Sequence, residues 1–199
     1  MPRILLTAFE PYHEWPENSS WLTLVELTRW FDSGGKVVTR RYPVDLTEMT
    51  HRLNEDLTVG YDYVLHLGQS PGTAAIQLET IGLNATTAET PLIEGAPLAY
   101  RTTLPMGRWS QKLVAEGIPT VVSRDAGIHI CNAILYLSQH LVAQRALPTQ
   151  VGFVHLPLAP QQAAKRLPDR PPLASMSLPM MAAALTVILT DLLTAPGDG

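Results

Sequence analysis

The sequence predicts an α/β fold, a three-layer α/β/α sandwich built on a mostly parallel central sheet. Short apolar runs alternate with helical periodicities along the whole chain, the pattern of strands joined by helical crossovers. The first run, around Ile4-Leu5-Leu6, is continuously apolar, as in a strand buried on both faces of a parallel sheet. With 199 residues and 46% hydrophobic content, the chain has the size and apolar material for one domain. That domain is expected over 1–194, with a frayed tail at 195–199.

Each element has its own signal. Residues 3–7 form the first strand, and 9–18, with its aromatic, proline and glutamate residues, a loop. Ser19 or Ser20 can cap a helix in which Trp21, Leu22, Leu24, Val25, Leu27 and Trp30 recur at three- and four-residue spacing, closed by Gly34-Gly35. Residues 37–42 are the second strand, followed by a helix within 43–57 that starts near Asp45 or Thr47. The third strand, 63–67, stops at Gly68-Gln69-Ser70-Pro71-Gly72. Residues 76–84 read as a further extended segment and 86–101 as irregular. A helix at about 106–116 leads to a β-branched strand at 120–123, the turn Asp125-Ala126-Gly127 and a long helix at about 129–145. The last strand is 151–155. A proline-rich loop, 156–174, precedes a final helix at about 176–193.

Composition excludes several function classes. Lys+Arg 14 against Asp+Glu 18 gives a net charge of −4, and the basic residues are scattered, so no electrostatic footprint for nucleic acid or an anionic membrane exists. One cysteine rules out a disulfide framework within the chain. The apolar start ends at Glu10, too soon for a signal peptide, and the uncharged stretch 171–190 spends too many positions on Pro, Ser, Thr and Ala for a membrane span. A cytoplasmic location is expected.

In α/β sheets the chemistry gathers beyond the carboxyl ends of the strands. That rule directs attention to 9–12, 68–72, 123–131 and 155–157. Cys131 stands at the start of a helix, where unpaired backbone N–H groups favour a thiolate and can receive an oxyanion. The alternative is a small core hydrophobe. Among six histidines, His155 ends a strand ahead of Pro157 and is the best placed base. His129, two before the cysteine, faces elsewhere on a helix. His66, inside an apolar strand, reads as a hydrogen-bonded core residue, and His13, His51 and His140 as surface or loop residues. Ligand spacing for zinc is absent, so no metal or other cofactor is expected. Glu79, in a mainly apolar strand, is either buried with a partner or facing water on an edge.

Taken together and in order, these segments resemble the pyroglutamyl peptidase I family (pyrrolidone carboxyl peptidases, cysteine peptidase family C15). The resemblance rests on Leu5-Leu6-Thr7-Ala8-Phe9-Glu10-Pro11-Tyr12 with Asn18 and Trp21, on Gly68-Gln69 with Glu79 and Asn84, and on Gly95-Ala96-Pro97-Leu98-Ala99-Tyr100 with Thr103-Leu104-Pro105. Ser123-Arg124-Asp125-Ala126-Gly127-Ile128-His129-Ile130-Cys131-Asn132 and Val154-His155-Leu156-Pro157 complete the set. It implies Cys131 as nucleophile, His155 as general base and acid, and Glu79 as orienting carboxylate. It also implies removal of an N-terminal pyroglutamyl residue from peptides, no metal, and a homo-oligomer, tetramer or dimer. Phe9 and Tyr12 match the family's two ring-packing phenylalanines. Gln69 offers a donor and an acceptor to a neutral lactam.

Departures from the pattern cluster near the same segments. Glu89 stands where the family has an arginine ten residues after the glutamate, with Arg101 or Arg124 as candidate substitutes. Thr80 replaces a basic residue, His129 an aromatic one, and Ala8 and His13-Glu14 replace glycines. The second reading is therefore a non-catalytic or altered-specificity relative that binds a small molecule, peptide or partner in the same cleft. A nucleoside phosphorylase-like enzyme would need a phosphate cradle that the sequence does not show.

Overall fold

The chain runs β1 (Ile4–Phe9), α1 (Ser19–Leu27), β2 (Val37–Tyr42), α2 (Leu46–Asp56), β3 (Tyr63–Gln69), β4 (Ile76–Glu79), β5 (Ile81–Leu83) and β6 (Ala99–Arg101). It continues through α3 (Met106–Ala115), β7 (Thr120–Ser123), α4 (Ile130–Gln144), β8 (Gln150–Leu156), α5 (Pro160–Lys165) and α6 (Leu178–Thr194). This computed structural model describes residues 2–165, 171 and 173–194; the expected tail at 195–199 lies outside them.

Six strands form one sheet in the order β2-β1-β3-β8-β4-β7, parallel except where β4 meets β8 antiparallel. Side-chain alternation sorts the sheet into two cores. Ile4, Leu6, Leu65, Leu67, Leu78, Val154 and Leu156 pack on one face, against α1, α3 and α6. Leu5, Phe9, Val64, Val151 and Phe153 pack on the other, against α2 and α4. The α/β/α sandwich and mostly parallel sheet are as the sequence predicts.

Local chemistry corrects several boundaries. Asn18, not Ser19 or Ser20, caps α1: its Oδ1 accepts from Ser20 N–H at 3.0 Å. The helix stops at Leu27, well short of Gly34-Gly35, and Trp30 stands 74% exposed beyond it. Asp45 caps α2 as expected, accepting from Glu48 N–H at 2.8 Å. The extended run 76–84 divides at Thr80, whose N–H and hydroxyl both donate to Ser123 O, at 3.0 and 2.7 Å. The chain thereby leaves the main sheet, and β5 pairs antiparallel with β6, a strand inside the segment expected to be irregular. The loop 156–174 contains α5.

This small β5–β6 layer explains why α4 is buried from Asn132 to Gln139, on all sides. The helix lies between the main sheet and β5. Gly82 permits the close approach, since a Cβ there would sit 2.8 Å from the backbone nitrogen of Tyr136.

Candidate active site

Thr7, His66, Gly68, Phe153, His155, Gln77 and Glu79 alternate onto the α4 face of the sheet. In the β4–β8 pairing Gln77 lies opposite His155 and Glu79 opposite Phe153, so Glu79 is the diagonal neighbour of His155 on that face. His155 Nδ1 donates to Glu79 Oε1 at 2.8 Å. Glu79 is fully buried, which decides between the two sequence expectations for it. Its Oε2 has no hydrogen-bond partner among the described residues, so the His155 N–H is its chief electrostatic support.

Cys131 enters from α4. The Ser123–Cys131 segment follows a strand that runs opposite to β8, so the carboxyl-end rule holds for β1, β3 and β8 but not for β7. The loop after β7 nevertheless returns Asp125, Ala126 and Gly127 to the cavity, and α4 starts there. Asn132 fixes the helix start by taking Leu83 N–H on Oδ1 at 2.7 Å and giving Nδ2 to Leu83 O at 2.9 Å. The first helical bond runs from Ala133 N–H to His129 O, so the N–H groups of 130–132 have no helix acceptor.

The Cys131 sulfur lies within hydrogen-bonding reach of His155. Burial disfavours the imidazolium, but the sulfur and Glu79 together outweigh it and raise the His155 pKa to about 9. His66 behaves oppositely. It is fully buried, bonded to Thr7 Oγ1 at 2.7 Å and Ser138 Oγ at 2.8 Å, and burial lowers its pKa to about 3.

These shifts bracket the stable pH range. His155 has a folded pKa above its unfolded value near 6.5, so its stabilisation is complete below 6.5 and is lost as pH rises through about 9. His66 has a folded pKa below that value, so stability declines as pH falls from 6.5 toward 3, where only the unfolded chain takes the proton. Urea midpoints across pH 4–10 should show a maximum near pH 6.5 and fall on both sides, and His66→Gln should flatten the acid side.

Gly68 makes room for the pair. A Cβ at this position would stand 2.5 Å from the Phe153 ring and 3.0 Å from the Cys131 sulfur. Gly68→Ala is expected to cost about 1–3 kcal/mol through overpacking, measured by denaturation, and to slow alkylation of Cys131 by displacing the sulfur.

A cavity of about 600 Å³ opens over these groups. Phe9, Tyr12, Val44, Ile130 and Ala126 supply apolar wall; Gln69, Gln77 and Asn18 supply amides. The structure thus brings Cys131, His155, Glu79, Phe9, Tyr12 and Gln69 into one neighbourhood. It also adds His13 and His129 to the lining, which the sequence assigned to a loop and to an unfavourable helix position. His13 reaches the cavity through a turn at φ 49 closed by Trp15 N–H to Tyr12 O, geometry that no periodicity reveals. No lysine or arginine lines the cavity among the described residues, so neither Arg101 nor Arg124 takes the place of the expected arginine. Glu89 is exposed on a turn held by its N–H to Thr86 O, away from the cavity.

A family model described as pyroglutamyl peptidase matches residues 2–194. The chain belongs to the pyroglutamyl peptidase family. It is 31% identical, over 210 residues, to the pyrrolidone-carboxylate peptidase of Clavibacter michiganensis subsp. michiganensis, covering 100% of this chain and 96% of that one. Identity to the pyrrolidone-carboxylate peptidase of Pyrococcus furiosus is 33%, covering 80% and 83%. The crystal structure of pyrrolidone carboxyl peptidase from Fervidobacterium islandicum AW-1 superposes with a TM-score of 0.89 at 30% identity, covering 96% of this chain and 98% of that one. The family assignment thus agrees with the resemblance drawn from the five motifs. No helix among the described residues is long and apolar enough to cross a membrane.

Proposed function

We propose that this pyroglutamyl peptidase family member is a cysteine omega-peptidase that releases the N-terminal pyroglutamyl residue of peptides through an acyl-enzyme on Cys131. The observation that carries this reading is the buried Glu79–His155 hydrogen bond, with the Cys131 sulfur acting on the same imidazole. Glu79 fixes the tautomer and orientation, leaving the other ring nitrogen, Nε2, to serve the sulfur and the leaving group. An imidazolium maintained to about pH 9 beside the sulfur attracts the thiolate, the form of a cysteine that attacks a carbonyl.

The steps follow from these positions. The Cys131 thiolate adds to the scissile carbonyl carbon, and the unpaired N–H groups at the start of α4 receive the oxyanion. His155 passes its Nε2 proton to the leaving amine as the C–N bond breaks, giving a thioester. Neutral His155 then takes a proton from water, whose oxygen adds to the thioester carbonyl; collapse releases pyroglutamate and restores the pair. Phe9 and Tyr12 flank the flat lactam ring, and Gln69 lies at its polar end. Glu89 lies off the cavity that holds Cys131 and His155. We further propose a cytoplasmic location and a homo-oligomer, for which gel filtration or light scattering reads the mass.

Hydrolysis of a pyroglutamyl coumarin amide tests the function. Turnover should fall on the alkaline side as His155 loses its proton near pH 9. A folded protein without turnover between pH 5 and 10, whose thiol also resists iodoacetamide at neutral pH, would instead support a binding-only relative.

A further inference from the structure

The polar end of the cavity is organised from behind. Gln162, buried on α5, donates to Glu17 O at 2.9 Å and to Gln69 Oε1 at 2.7 Å, and its Oε1 accepts from Ala159 N–H at 2.8 Å. Two of these partners are a backbone carbonyl and a backbone N–H, so the orientation of the Gln162 amide is fixed. Gln69 Oε1 accepts from Ser19 N–H as well, at 2.8 Å, which fills both of its lone pairs. The Gln69 carbonyl is therefore not the acceptor for a ligand that the sequence suggested, and its Nε2 is turned the other way, onto the Tyr12 hydroxyl at 3.5 Å. That hydroxyl acts as acceptor toward Gln69, and its own O–H meets no acceptor among the described residues. Tyr12 lines the cavity with Phe9 and Cys131, and burial raises its pKa, so it remains a donor.

We propose that the Tyr12 O–H is a specificity-determining donor to the ring carbonyl of an N-terminal lactam, and that Gln162 is a positioning residue that aims it through Gln69. The proposal rests on the peptidase reading above and deepens it. The phenylalanine that the family resemblance leads one to expect here has no such group. A lactam carbonyl accepts the O–H, whereas the methylene at the same place in a carbocyclic ring offers it no partner.

Calorimetric binding of pyroglutamyl-alanine and cyclopentanecarbonyl-alanine to Cys131→Ala protein tests this without turnover. Adding Tyr12→Phe should lower the lactam-over-carbocycle affinity ratio about tenfold, the scale of one hydrogen bond. Gln162→Glu keeps size and the bond from Ala159 but has no hydrogen for Gln69 Oε1. It should lower the ratio to a similar extent with Tyr12 present and add little once Tyr12 is Phe. Gln162→Met, which also lacks the donor, serves if the glutamate variant does not fold. A ratio unmoved by Tyr12→Phe overturns the donor. A Gln162 effect that is equal for both ligands, or undiminished in the Tyr12→Phe background, overturns the relay. Absent binding of the lactam overturns both. Wild-type protein that does not hydrolyse the coumarin amide, yet shows the tenfold change, sinks the peptidase reading alone.

Discussion

Cys131→Ala is expected to lower kcat for pyroglutamate release by about a million-fold while the protein stays folded. The magnitude follows from the chemistry: the chain holds one cysteine, so no second sulfur can stand in. The N–H groups at the start of α4 and the lactam pocket survive the change, so a residue of rate above the uncatalysed reaction should remain, as it does when other acyl-transfer enzymes lose their nucleophile. The side chain sits on the first turn of α4, whose start Asn132 fixes through Leu83, so circular dichroism should match the parent. Single-turnover measurement with a pyroglutamyl coumarin amide reads the loss. Activity within a hundredfold of wild type would remove the acyl-enzyme from the scheme.

The second large effect is on stability. His155→Ala should cost about 3–5 kcal/mol, because it leaves the fully buried Glu79 carboxylate without its one hydrogen-bond partner among the described residues. For a chain of this size that is a fall in Tm on the order of 10 °C. Adding Glu79→Gln to His155→Ala should recover part of the loss, since a neutral amide needs no counter-charge, though turnover stays negligible in both. Thermal and chemical denaturation of the two proteins side by side decide it. If the double variant is no more stable than the single one, the cost lies in the imidazole's packing against Phe153 and not in the stranded charge.

Much of this architecture was legible because strands and helices announce themselves locally. The apolar run at Ile4-Leu5-Leu6, the cap at Asp45 and the strand that carries His155 each depend on a few neighbouring residues. Cys131 at a helix start was legible for the same reason. What escaped depends on pairings distant in the chain. The division of 76–84 at Thr80 needs Ser123, and the strand at 99–101 needs Ile81–Leu83 as a partner. The fate of Glu79, an even choice from sequence, is settled by antiparallel pairing with a strand about 75 residues on. The Gln69 amide looked free to serve a ligand because nothing local shows that Ser19 and Gln162 occupy its oxygen. Trp30 fitted the helical period, yet the helix had already ended.

One feature of the sheet bears on how the protein is made. β8 occupies a central place between β3 and β4, although it comes last in sequence among the strands of the described residues. Until the ribosome has released residues 150–156, β3 and β4 each present an unpaired side, a template for association with other chains. Closing the gap joins Tyr63–Gln69 to a segment almost ninety residues away, a high-contact-order step and a slow one. His155 arrives on that same strand, so the chain gains its base at the moment it loses its open edges. Peptidase activity during refolding will therefore report the completed sheet.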